Sequence, residues 1–158
     1  MSSETSTVAA LATAPVPAGV AVVRISGPEA QTVLKRLFSA SRSPLDHPRE
    51  MLYGMLSDAK GTQVIDNILA VFMPGPNSYT GEDVVELHVH GSPLLVKRVL
   101  RSIFALGVEP AEAGEFTKRA FINGKLDLAQ AEAVADLIEA TSEQALRIAG
   151  EQLRGRLS

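Results

Sequence analysis

The sequence predicts an α+β fold: a mixed β-sheet covered by helices, followed by the start of an α-helical domain. Three observations carry that expectation. Strand-like and helix-like segments alternate irregularly, with a hairpin in the middle, rather than as repeated strand, helix, strand units. From Asp83 the run DVVELHVHG alternates with the period of a strand, placing Val85, Leu87 and Val89 on one face and Val84, Glu86, His88 and His90 on the other. From Leu128 onward, apolar residues recur with helical spacing.

Thr7 to Thr13 and Gly19 to Ser26 are rich in Val, Ala and Ile, and Pro15-Val16-Pro17-Ala18-Gly19 separates them, so they read as two strands joined by a stiff loop. Ser26-Gly27-Pro28-Glu29 has the spacing of a capping box. The helix it opens has Ala30, Val33, Leu34, Leu37 and Phe38 on one face. Ser39 to Glu50, with Ser, Pro and mixed charges, is expected as a surface loop. Met51 to Ser57 and Gln63 to Met73 read as strands of a hairpin around Asp58-Ala59-Lys60-Gly61.

The stretch PGPNSYTGED leads into the alternating strand, and its Pro, Gly and Asn residues are turn formers that let backbone amides approach a ligand. After the strand, Ser92 is placed as N-cap and Pro93 as first residue of a helix running to Leu106. That helix turns Leu95, Val96, Val99, Leu100, Ile103 and Phe104 inward and Lys97, Arg98 and Arg101 outward. Gly107 ends it, and Val108 to Pro110 suits an edge strand because Pro lacks a ladder donor. Glu115 to Ile122 is a short helix closed by Asn123-Gly124, and Lys125 lies in the hinge before a helix opened by Asp127 and Gln130. Ala131, Val134, Ala135 and Ile138, then Ala145, Leu146, Leu153 and Leu157, continue an apolar stripe to the end. Such a stripe needs partners, so the chain is expected to be a fragment or to bind another chain.

With 158 residues the chain can bury most of its unfolded surface, so one domain, or one plus part of another, is expected. The absence of Cys excludes disulfides and thiolate catalysis within it and suits a reducing cytoplasm. A net charge of −3 argues against a surface that coats nucleic acid generally. MSSETSTV lacks the regions of a signal peptide, and no apolar run reaches membrane-helix length, so no membrane association is expected. No P-loop is present, because Gly124-Lys125 lacks the upstream Gly and the following Ser or Thr.

The residues that invite chemistry are few. Arg24 interrupts the apolar run GVAVVRIS, so it either faces solvent or meets a carboxylate or an anionic ligand. Glu86, His88 and His90 share a strand face and are either solvated or turned to a ligand. Their spacing also permits metal ligation, but no nearby Cys or His completes a zinc set.

The segments GVAVVRISGPEA, MPGPNSYTGEDVVELHVHGSP and AGEFTKRAFINGKLDLAQAEAVADLIEATSEQA resemble the N-terminal part of the bacterial tRNA modification GTPases of the MnmE or TrmE family. The resemblance covers nearly all of the chain from Thr7. It implies that residues 1–123 form an α+β domain for folate binding and dimerisation, and that 124–158 begin a central helical domain, with the GTPase domain outside the chain. It further implies binding of 5-formyltetrahydrofolate or a related reduced folate, with Arg24, Glu86 and Lys125 as contacts and no catalytic residue or metal site in this chain. GTP, Mg and K belong to the full-length protein, and the implied partners are a second copy, an FAD-dependent protein and tRNA. Two departures stand out: Pro15 to Gly19 replaces a loop rich in Gly and Arg, and Ser92 replaces a Gly. A stand-alone folate-dependent aminomethyl or formyl transferase is the alternative, since folds of this type serve such enzymes too.

Overall fold

The computed structural model describes residues 6–155, and the chain divides into two units, residues 1–78 with 82–111 and residues 79–81 with 112–158. The first unit holds strands β1 (Val8–Leu11), β2 (Ala18–Ser26), β3 (Phe38–Ser39), β4 (Leu52–Ser57), β5 (Val64–Met73), β6 (Val84–Gly91) and β7 (Glu109–Pro110). They form one sheet in the order β3-β4-β5-β6-β2-β1-β7. Neighbours are antiparallel except β7, which runs parallel to β1 at the edge where its Pro is tolerated. The sheet is therefore mixed, though mostly antiparallel, which agrees with the expected α+β fold.

Helices α1 (Ala30–Leu37) and α2 (Pro93–Phe104) bury their apolar faces against one side of this sheet. Val23 and Ile25 of β2, Val85, Leu87 and Val89 of β6, and Ile68, Ala70 and Phe72 of β5 meet Val33, Leu34 and Leu37 of α1 and Val96, Val99 and Ile103 of α2. Each Val, Leu, Ile or Phe among them contributes about 1.5–3 kcal/mol when taken out of water. The alternation read from β6 is thus the alternation of core and opposite face. As expected, Ser92 caps α2 by accepting from Leu95 N–H at 3.3 Å, with Pro93 in the first turn.

The start of α1 departs from the capping box. Ser26 Oγ donates to Glu82 Oε1 at 2.7 Å, and the helix has no side-chain cap of its own. Glu29 N–H instead donates to Thr7 Oγ1, 2.7 Å away on the incoming end of β1. Gly27 makes this approach feasible: its φ is +138° and an added Cβ would lie 2.6 Å from Thr7 Cα. Phe38 also differs from its helical placement, since its backbone is extended and pairs with Leu56 as β3. The expected surface loop therefore begins with a strand residue and includes a 3-10 turn over Pro44–Asp46, with Pro44 buried.

The β4–β5 hairpin turns where expected, with Asp58 N–H donating to Gln63 O and Gly61 at φ +70°. The hydroxyl and then the amide of Thr62 hold the Asp58 carboxyl below its ordinary value. These bonds favour the turn at neutral pH, and that support is lost on acidification through the lowered folded-state value.

The second unit contains α3 (Glu115–Ile122), α4 (Leu128–Glu139) and α5 (Glu143–Leu153). Gly124, at φ +75°, ends α3, and the Asp127–Gln130 capping box opens α4 as its residues predict. The helical stripe falls on two helices, with α4 ending at Ala140, and Ser142 caps α5 by accepting from Ala145 N–H at 3.1 Å. Ala133 and Ala149 are the buried residues of these helices, and Gln130 Nε2 donates to Leu153 O at 2.8 Å. Ile138, 78% exposed, and Leu128, 58% exposed, leave apolar surface uncovered along this stripe. With Phe121 and Val134 they line an open groove of about 610 Å³ along α3 and α4. Leu157 lies outside the described residues. Among the described residues no helix is long and apolar enough to cross a membrane.

Candidate functional site

The sheet face turned away from α1 and α2 carries the candidate residues. Register aligns Arg24 of β2 with Glu86 of β6 and Val71 of β5, and the next row aligns Val22, His88 and Leu69. Arg24 Nε lies 3.1 Å from Glu86 Oε2, with side chains 24% and 18% exposed. The charge in the apolar run of β2 therefore meets a carboxylate, one of the two readings its position allowed. His88 Nε2 lies 3.2 Å from Glu86 Oε1, so the carboxylate is flanked on both oxygens. A carboxylate oxygen has two lone pairs, and each of these oxygens retains acceptor capacity for a ligand.

His90 belongs to a different arrangement. Its backbone N–H donates to Asp66 Oδ2 at 3.1 Å, and its ring Nδ1 lies 2.9 Å from Asp66 Oδ1. The two histidines of the Glu-x-His-x-His run thus address separate carboxylates. Among the described residues no group of three or more potential ligands could hold a metal ion. Between the histidines and β4 runs a shallow groove of about 320 Å³ whose walls include Val20, Tyr53 and Leu69. The side chain of Tyr53 is 67% exposed there.

The turn-rich stretch before β6 is held by side chains rather than by regular structure. Asp83 accepts from Gly75 N–H and from Gln31 Nε2, both at 2.9 Å, while its carbonyl accepts from Gly27 N–H at 3.0 Å. Ser78 Oγ donates to the Glu82 carbonyl. These bonds set the entry of β6 relative to β2, and hence the row that joins Arg24 to Glu86.

Lys125 belongs to the second unit and is exposed just after α3, its backbone N–H donating to Ala120 O at 2.8 Å. Within the same unit Asn123 Nδ2 donates to Thr80 O at 2.8 Å, and Tyr79 Oη and Thr117 Oγ1 are 2.9 Å apart. Gly81 is at φ +83°, and a Cβ added there would lie 2.8 Å from Asn123 Cβ and 3.4 Å from Lys125 Cγ. Gly81→Ala is therefore expected to destabilise the protein by about 2 kcal/mol, combining left-handed strain with displacement of Asn123. Urea denaturation checks this; a loss below about 0.5 kcal/mol would show that Gly81 is not required.

Sequence reading overlooked Arg119. Its side chain is 1% exposed, with Nη2 at 2.8 Å and Nε at 3.1 Å from Glu115 Oε2. The signal was available as Glu and Arg four residues apart on one helix, but that spacing is common on solvated helices.

Comparison with known proteins bears on the whole arrangement. A family model described as "GTP-binding protein TrmE N-terminus" matches residues 7–125, a span that includes Arg24, Glu86 and Lys125. The chain belongs to this TrmE N-terminal family. It is 45% identical over 152 residues to the tRNA modification GTPase MnmE of Natranaerobius thermophilus, covering 96% of this chain and 33% of that protein. The MnmE of a Roseiflexus species is 50% identical over 152 residues, with 96% of this chain and 33% of that protein covered. For Pseudomonas paraeruginosa MnmE the figures are 49% over 158 residues, 100% and 34%. The chain thus spans about a third of these TrmE-family relatives.

Proposed function

We propose that this chain is the formyl-tetrahydrofolate-binding and homodimerisation part of a longer GTPase that modifies the wobble uridine, position 34, of certain tRNAs. In this reading residues 1–123 are the folate and dimer domain, and 124–158 begin the central helical domain. The observation that carries it is the Arg24–Glu86 pair, joined at 3.1 Å on the sheet face away from the helices, in a chain of the TrmE N-terminal family. A reduced pterin presents a ring N–H beside an exocyclic amine, and one carboxylate such as Glu86 accepts both. The formyl oxygen and the glutamate tail of a reduced folate call for cationic donors, and Arg24 and Lys125 are the two that the family resemblance assigns. The protein positions a one-carbon carrier whose reactivity resides in the folate itself.

GTP with Mg and K, tRNA and an FAD-dependent partner are assigned to the full-length cytoplasmic protein. Calorimetric titration with 5-formyltetrahydrofolate tests the reading, with saturable binding and no GTP hydrolysis expected. No heat from a well-folded sample would refute the folate assignment, and GTP turnover above background would refute the placement of the GTPase centre outside this chain.

Self-association has its own test. The apolar groove of α3 and α4 and the strand edges offer surface for partner contacts. Light scattering at micromolar concentration is expected to return twice the chain mass. A monomer at that concentration contradicts the dimer.

A further inference from the structure

We propose that His88 is the positioning residue of Glu86: its ring Nε2–H holds Oε1 so that the carboxylate plane stays fixed against its ligand. For the ligand itself this rests on the folate reading above. Arg24 Nε contacts Oε2 alone, at 3.1 Å, and a carboxylate held at one oxygen can still turn about its Cγ–Cδ bond. The His88 bond at 3.2 Å on the other oxygen removes that freedom. An ionised carboxylate only accepts, so His88 Nε2 carries the hydrogen. A fixed plane keeps two acceptor oxygens side by side, the arrangement that a pair of neighbouring N–H donors on a flat heterocycle requires.

The surroundings restrict His88 to this role. Its register neighbours are Val22 on β2 and Leu69 on β5, and Glu86 stands between Arg24 and Val71, so no other ionisable residue occupies these two rows of β2, β6 and β5. His90, two residues further on the same face, is tied to Asp66 through ring Nδ1 and leaves Glu86 alone. The two rings therefore bond through opposite nitrogens, His88 through Nε2 and His90 through Nδ1. His90 serves as an internal control.

Titrations with 5-formyltetrahydrofolate on His88→Ala, His88→Gln and His90→Ala test the assignment together with nitrogen NMR of the histidine rings. His88→Ala is expected to weaken binding about tenfold, the factor one hydrogen bond to a charged group contributes. His88→Gln, whose amide can still donate to Glu86, restores most of that affinity, and His90→Ala binds as the parent does. In the unliganded protein Glu86→Gln shifts the Nε2 signal of His88 but not the ring signals of His90. Parent-like affinity in His88→Ala overturns the proposal. So does His88→Gln binding as weakly as His88→Ala, which would mean that the ring itself touches the ligand. If the parent protein binds no folate, the folate reading fails separately, and the ring signals still decide: an unmoved His88 Nε2 in Glu86→Gln overturns the positioning role.

Discussion

Glu86→Gln is expected to weaken 5-formyltetrahydrofolate binding by about 2 to 4 kcal/mol, because a charge-assisted pair is lost and an amide donor is brought against donors. The substitution keeps size and one acceptor oxygen. It replaces the other oxygen with an NH2 that meets a donor wherever it faces Arg24 Nε or the pterin, and where it faces His88 Nε2 the charge that this ring bonds to is lost. His88→Gln is the matched comparison, since it alters a neighbour of Glu86 while leaving the carboxylate in place, and its cost is expected to be much smaller. Both variants are checked for equal folding by circular dichroism and titrated with the same folate. Equal, small losses would reduce Glu86 to a solvated strand residue. A larger loss at His88 would move the site along β6 towards His90.

Arg119→Met is expected to cost about 3–5 kcal/mol of stability, the range seen when one partner of a buried ion pair is removed. Arg119 is 1% exposed and Glu115 is 12% exposed at the side chain, so water cannot readily replace the lost guanidinium. Met preserves most of the apolar stem, so the loss reports the charge rather than a cavity. Glu115 is additionally placed by the Glu112 N–H, which donates to its Oε1 at 2.9 Å, and cannot simply swing out to solvent without breaking that bond. Urea denaturation of the single variant and of Glu115→Gln with Arg119→Met measures the effect. The double variant should recover part of the loss, because it no longer buries an unpaired carboxylate. A single-variant loss within about 0.5 kcal/mol would place Arg119 among surface residues, against its burial.

These two variants mark different kinds of legibility. Glu86 was readable as a candidate because strand alternation assigns it a face, and the family resemblance then assigned it a ligand. Arg119 was not, because a Glu and an Arg four residues apart look the same whether the helix face is solvated or buried. What buries it is set by the folded chain and leaves no local mark.

Local devices were determined by sequence alone. The period-2 run of β6, the Ser92–Pro93 start of α2, the Gly124 end of α3 and the Asp127–Gln130 box each depend on residues within a few positions, and each stands as read. Tertiary structure decided what depends on distant partners. Thr7 took the capping role that Ser26 and Glu29 were spaced to share, and Ser26 turned to Glu82, 56 positions away. Ala133 and Ala149, rather than the larger residues of the stripe, became the buried residues of α4 and α5, which end and begin at Ala140 and Ser142. Arg24 found Glu86 across 62 positions because the register of β2 on β6 sets them opposite each other. The same alternation that put Glu86, His88 and His90 on one face could not divide them between partners. That division follows from which carboxylate lies within reach of each ring: Glu86, two residues back on β6 itself, for His88, and Asp66 of the neighbouring β5 for His90.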